Sequence, residues 1–174
     1  MAELSFFETI EKRKSVRSFL DKKVENEKLA KILETINLSP SAGNLQSYKI
    51  LVVKTQKIKQ ALADATHGQN FILQAPIALV FLTDTTRVSA KYGDRGVLLY
   101  AIQDATIAAS YAQLAATALG LASVWVGAFD ETVVAKVIGA SKEQRPVAII
   151  PIGYAAEEPE RHGRREISEQ VIEI

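Results

Sequence analysis

Leu29, Ile32, Leu33 and Ile36 recur three and four places apart, the spacing that lines one face of a helix. Pro40 ends that helix, because the residues before a proline are pushed out of helical geometry. Upstream, Ser5-Phe6-Phe7-Glu8 reads as a capping box opening a helix that runs to about Arg13. Tyr48 to Val53 reads as a strand, and Gln56 to about Thr66 as a short helix carrying Ile58 and Leu62. The unbroken apolar run Ile77–Leu82 predicts a strand buried on both faces. The longest helix is predicted from about Leu98 to Leu119, stopping at Gly120. Ala105, Ala108, Ala109, Ala112, Ala115 and Ala116 make much of its surface small, so a partner helix, a sheet or a flat ligand must pack close to it. A strand at Ser123–Val126 follows, and then Asp130 capping a helix with Val133, Val134 and Val137. Val147–Gly153 is a last core strand, whose Pro151 predicts an edge position or the strand's end. The tail from Glu157 is charged and closes on an amphipathic piece, Ile167–Ile174.

Strands are thus expected near residues 48–54, 77–83, 122–127 and 146–153. Regular strand–helix–strand alternation is scarce, which predicts an α+β fold, a sheet flanked by helices, over a doubly wound sheet. The chain's 174 residues, without repeat or linker, suit one domain, 1–174.

Composition narrows the chemistry. With no cysteine, disulfides, thiolate metal sites and cysteine nucleophiles are excluded. The two histidines, His67 and His162, are far apart, so a histidine-built zinc site is not expected. A net charge of +1 argues against a broad nucleic-acid surface. Met1-Ala2-Glu3-Leu4-Ser5 leads into no signal-like apolar run and no stretch is long enough for a membrane span, so no membrane partner and a cytoplasmic location are expected. Hard chemistry would come from a cofactor. Neither glycine-rich nucleotide loop nor a Gly-x-Ser-x-Gly elbow is present. Asp94 and Asp104 read as solvated.

Four segments remain. Arg13-Lys14-Ser15-Val16-Arg17 offers arginine forks and a hydroxyl, the groups that bind a phosphate, although a solvated basic turn has the same composition. Pro40-Ser41-Ala42-Gly43-Asn44-Leu45-Gln46 combines small residues with amide side chains. Trp125-Val126-Gly127-Ala128 sets an aromatic before a bare backbone spot, and serves equally as core. Arg161-His162-Gly163-Arg164-Arg165 is a basic stretch of tail.

Taken in order, these segments resemble the nitroreductase family of FMN flavoproteins over nearly the whole chain. Arg13 to Phe19 is similar to the family's Arg-x-Ser-x-Arg-x-Phe signature, and Pro40 to Gln46 to its Pro-Ser-Ala-x-Asn-x-Gln loop. Tyr92 to Gly120 looks like its central helix; Trp125–Asp130 and Arg145–Tyr154 look like its last core strands.

The resemblance implies a mixed, mainly antiparallel sheet, an entwined homodimer and an NAD(P)H-dependent FMN oxidoreductase with ping-pong turnover. Arg13, Ser15 and Arg164 would hold the FMN phosphate, with Lys14 by the ribityl-phosphate end and Arg17 near the pyrimidine ring. Pro40, Ser41 and Asn44 would arrive from the partner subunit. Trp125, Gly127 and Ala128 would face the flavin, with Gln69 or Asn70 at the pyrimidine edge. No side chain need act as acid or base, since the chemistry is at flavin N5. The acceptor would be a small molecule, nitroaromatic or quinone. Relatives that dehalogenate or break down flavin, or that only bind it, remain alternatives. Where the family usually has Pro and an aromatic, commonly Trp, after the loop, this chain has Ser47 and Tyr48; where its tail usually has Lys, this chain has His162.

Overall fold

Helix α1 (Phe6–Lys12) begins as the capping box predicts: Glu8 N–H donates to Ser5 Oγ at 3.3 Å and Ser5 N–H to Glu8 Oε2 at 2.8 Å. The computed structural model describes residues 4–174, so part of the N-terminal leader reading, on residues 1–3, lies outside the described residues. Helix α2 (Asn26–Asn37) buries Leu29, Ile32 and Ile36, the predicted stripe. Strand β1 (Tyr48–Val53), helix α3 (Gln56–Ala65) and a one-turn helix α4 (Phe71–Gln74) follow. Strand β2 (Ile77–Thr83) is buried at every position. Helix α5 (Thr85–Arg95) passes through a π-helical turn, Gly96–Tyr100, into the long helix α6 (Ala101–Ala118). Strand β3 (Ala122–Ser123), helix α7 (Glu131–Ile138) and strand β4 (Pro146–Gly153) complete the core.

The four strands form one antiparallel sheet in the order β1-β2-β4-β3. Because strand side chains alternate between faces, the sheet has two cores. Ile77, Leu79, Phe81, Ile150 and Ile152 pack against α2 and α6. Ala78, Val80 and Ile149 pack against Leu62 of α3 and Val134 of α7. The α+β architecture expected from the sequence is what the chain adopts.

Two local expectations need correction. The strand expected at 122–127 lasts only two residues; Val126 rejoins β4 as an isolated bridge to Ile149, with both bonds 3.0 Å. β4 is an interior strand despite Pro151. Ile149 spends its N–H on Val126, so by strand alternation Pro151 faces the same side, where β3 has already peeled away and no N–H is required. The small face of α6, by contrast, is met by the protomer's own sheet and α2, the close packing that its alanines predict. Helix α5 was not anticipated, although Asp84 caps it by accepting Thr86 N–H at 3.3 Å.

Candidate functional site

The basic segment after α1 runs extended along the end of the sheet. Ser15 forms a parallel bridge with Ser123, and Val16 N–H donates to Ser123 O at 3.1 Å. Val16 and Phe19 are buried together with Ala75, whereas Arg17 between them is exposed. Arg13, Lys14 and Ser15 are half-buried. Phe19 N–H donates to Gln74 Oε1 at 3.2 Å and Leu20 N–H to Tyr154 O at 2.9 Å, which fixes the segment's far end. Lys14 pairs with Glu158, and the Glu157 carboxylate accepts Arg17 N–H. Among the described residues, Arg13, Arg17 and Arg164 make no ion pair.

Trp125 is half-buried against the first core. Beyond it the backbone of Gly127 and Ala128 is exposed, and a Cβ on Gly127 would lie 3.0 Å from Trp125 Nε1. The Gln69 amide holds this corner, donating to Ala128 O at 3.1 Å and Thr66 O at 3.2 Å. Asn70 is exposed, and its side chain makes no capping bond to α4.

Residues 40–47 form a knotted turn. Gly43, Asn44 and Gln46 all hold positive φ, at 58°, 58° and 46°. Ser41 Oγ accepts Gln46 N–H at 3.0 Å and its side-chain amide at 3.1 Å. Asp104 of α6 accepts Ala42 N–H at 2.8 Å and Ser47 N–H at 3.2 Å. Asp104 is therefore buried and bonded, contrary to the solvated reading, whereas Asp94 is exposed. One cue was available: Asp104 is the only charged residue in α6.

Two clefts flank these elements. One of ≈ 1000 Å³ is lined by Lys14, Val16, Lys28, Glu158 and Arg161 among others. The other, ≈ 570 Å³, is lined by Pro40, Ser41, Tyr100 and Asp104 among others. They share no lining residue, so within one protomer Pro40 and Ser41 do not line the cleft of the basic segment. Arg161 of the tail reaches that cleft; Arg164 is exposed and turned back on the carbonyls of His162 at 3.0 Å and Gly163 at 3.1 Å. Sequence reasoning missed Glu158, whose carboxylate pairs with Lys14, and Glu157, whose carboxylate accepts the backbone N–H of Arg17. Among the described residues there is no acid or histidine cluster that could hold a metal, and no helix is long and apolar enough to cross a membrane.

The Nitroreductase family model matches residues 10–154. The chain belongs to the nitroreductase family. Membership makes it an NAD(P)H-dependent oxidoreductase of the FMN class. It is 29% identical over 174 residues to the NADH dehydrogenase of Thermus thermophilus, covering 84% of this chain and 85% of that one. Nitroreductase A from Vibrio parahaemolyticus superimposes with a TM-score of 0.90 at 25% identity, over 99% of this chain and 77% of that chain. An FMN-dependent nitroreductase from Clostridium difficile gives a TM-score of 0.79 at 28% identity, over 95% and 96% of the two chains.

The residues present fit FMN. Its dianionic phosphate needs cations without a carboxylate partner, and Arg13, Arg17 and Arg164 are of that kind among the described residues. Its flat ring needs a surface without side chains, and the Gly127–Ala128 corner is exposed and nearly bare.

Proposed function

We propose that this nitroreductase-family chain moves hydride from NAD(P)H to a small nitroaromatic or quinone acceptor by a ping-pong mechanism, working as a homodimer with two shared flavin sites. The observation that carries the reading is the run of Arg13, Ser15 and Arg17, bonded through Ser15 and Val16 to Ser123 of β3, four residues before the bare Gly127–Ala128 corner.

Bound FMN supplies the two-electron chemistry, taking hydride from the nicotinamide and giving it to the acceptor. Arg13, Ser15 and Arg164 hold the phosphate, the guanidiniums through forked, charge-assisted bonds. Lys14, paired with Glu158, lies at the ribityl-phosphate end. Arg17 lies at the pyrimidine end, where a cation favours negative charge on the ring. Gln69 has both its observed bonds on Nε2, which leaves Oε1 as an acceptor toward the pyrimidine edge. Trp125 backs the corner at which Gly127 and Ala128 let the ring approach. Pro40, Ser41 and Asn44 close the site from the other protomer. The chain's contribution is positioning and electrostatics; no acid or base is required. The cytoplasm supplies NAD(P)H, and the proposed reaction suits that compartment.

Surface area supports the dimer. The protomer exposes 10430 Å², whereas a compact monomer of its mass exposes about 8,400 Å². Apolar side chains account for part of the excess: Phe6 is 65% exposed, Phe7 77% and Leu98 72%, and Ile167, Val171 and Ile172 of the tail are also exposed.

The test is a titration of purified protein under anaerobic conditions. Protein incubated with FMN and desalted stays yellow, NADH or NADPH bleaches it, and a quinone or nitroaromatic restores the colour. Protein left colourless after reconstitution overturns the flavin reading, and yellow protein that neither nucleotide bleaches overturns the hydride reading.

A further inference from the structure

Asp104 projects from α6 into the turn at 40–47 with only 2% of its surface exposed. Its two oxygens accept N–H groups from the two ends of that turn, Ala42 at 2.8 Å and Ser47 at 3.2 Å. Between those anchors lie Gly43, Asn44 and Gln46, all at positive φ. Asn visits such backbone more readily than most residues, but Gln holds it only where the surroundings over-determine it. The surroundings here are specific. The buried carboxylate supplies charge-assisted bonds at both ends. Gly43 sits so close to α5 that a Cβ would lie 2.6 Å from Tyr92 Oη and 2.7 Å from Lys91 Nζ.

The second anchor depends on a departure in this sequence. A proline at position 47, the residue usual in the family, has no N–H and could not donate to Asp104. Ser47 can, and it is fully buried while doing so. The turn is therefore held at two points in this chain where a proline-bearing one would have one.

We infer that Asp104 is a positioning residue for the flavin site of the opposite protomer: its two-point hold on Ala42 and Ser47 sets the turn that presents Pro40, Ser41 and Asn44 to FMN bound by the other chain. The inference rests on the shared-site dimer proposed above. A purely local role, knitting helix to loop, would instead lower stability without acting across the interface.

The test uses Asp104→Asn in the full-length dimer. The amide keeps the carboxylate's shape but turns one acceptor into a donor facing an N–H. Losing one charge-assisted bond should weaken FMN binding about tenfold or more. Ala42→Pro is the second variant. It deletes the same donor from the loop side, after Ser41, whose φ −147° and ψ 157° suit the residue before a proline. It should weaken FMN binding similarly, and it replaces Asp104→Asn if that variant does not fold.

The deciding sample is a mixed dimer, purified through two different tags, of one Arg13→Ala protomer and one Asp104→Asn protomer. If Asp104 acts across the interface, one site carries both lesions and the other carries neither. FMN titration by visible absorbance then finds half the sites at wild-type affinity. If no site has wild-type affinity, the trans role is overturned. Asp104→Asn and Ala42→Pro homodimers that both bind FMN like wild type overturn the positioning role itself. Wild-type affinity in the Arg13→Ala homodimer is a separate result, which sinks the phosphate assignment and leaves the Asp104 homodimer comparison standing.

Discussion

The side-chain amide of Gln69 donates to the carbonyl of Ala128 at 3.1 Å, joining two segments 59 residues apart. That bond aims the Gln69 side chain along the bare Gly127–Ala128 corner, while Asn70 points to solvent. Between the two neighbours, the geometry favours Gln69 as the flavin contact. Gln69→Leu should weaken FMN binding by about 1 kcal/mol, roughly fivefold, through one lost neutral hydrogen bond. Asn70→Ala should leave affinity unchanged. A fluorescence titration of FMN against both variants checks this, and the reverse ranking would move the contact to Asn70.

Ser47 Oγ is buried and has no hydrogen-bond partner among the described residues, while its N–H is held by Asp104. Ser47→Ala keeps the N–H and removes the unpaired hydroxyl. It should raise stability by about 1 kcal/mol, seen as a higher melting temperature of the apoprotein. A lower melting temperature would show that the hydroxyl has a partner in solution.

Lys59 is buried, and its ammonium donates to the carbonyls of Leu73 at 3.2 Å and Ala75 at 2.7 Å, closing the end of α4. Burial holds its pKa below the ordinary 10.5, with Asp21 pulling it partly back. In the window from that lowered value up to 10.5, the unfolded chain binds the proton more readily than the folded one. Stability from this group therefore rises as pH rises through the window. Lys59→Met removes the titration. The difference in urea-unfolding free energy between wild type and variant should grow in favour of wild type across that range; a difference independent of pH contradicts the burial argument.

The tail is the simplest probe of assembly. Its Ile167, Val171 and Ile172 are exposed on a protomer whose surface exceeds that of a compact monomer. A chain ending at Glu166 should dimerise more weakly in sedimentation velocity and lose FMN on dilution, because the proposed shared sites require both protomers. An unchanged dimer would place the interface elsewhere.

Legibility in the sequence followed locality. The capping box at Ser5–Glu8, the stripe of α2 and the wholly apolar β2 were readable because each is fixed by residues a few places apart. The Asp130 cap of α7 was readable for the same reason, accepting Val133 N–H at 3.0 Å. Features set by distant partners were not. The early end of β3 has no cue among its neighbours in the chain, and Pro151 sits inside the sheet at the point where β3 has already left β4. Asp104 looked solvated because its partners, Ala42 and Ser47, lie about sixty residues upstream. The site motifs were legible as a set through their family resemblance. Lys14 shows why composition could not do this alone: half the function of a basic run depends on which members an acid such as Glu158 has already neutralised.

The central claim is that Arg13 serves the phosphate and Arg17 the ring, and one paired measurement separates the two jobs. FMN affinity and flavin midpoint potential should be determined for Arg13→Ala and Arg17→Ala. Phosphate contacts hold in both redox states, so Arg13→Ala should lose about 1.5–3 kcal/mol of FMN binding in each. Arg17→Ala should instead lower the midpoint potential with little loss of oxidised-flavin affinity, because the charge it stabilises exists only after reduction. Unchanged affinity in Arg13→Ala, or an unchanged potential in Arg17→Ala, would contradict the corresponding assignment.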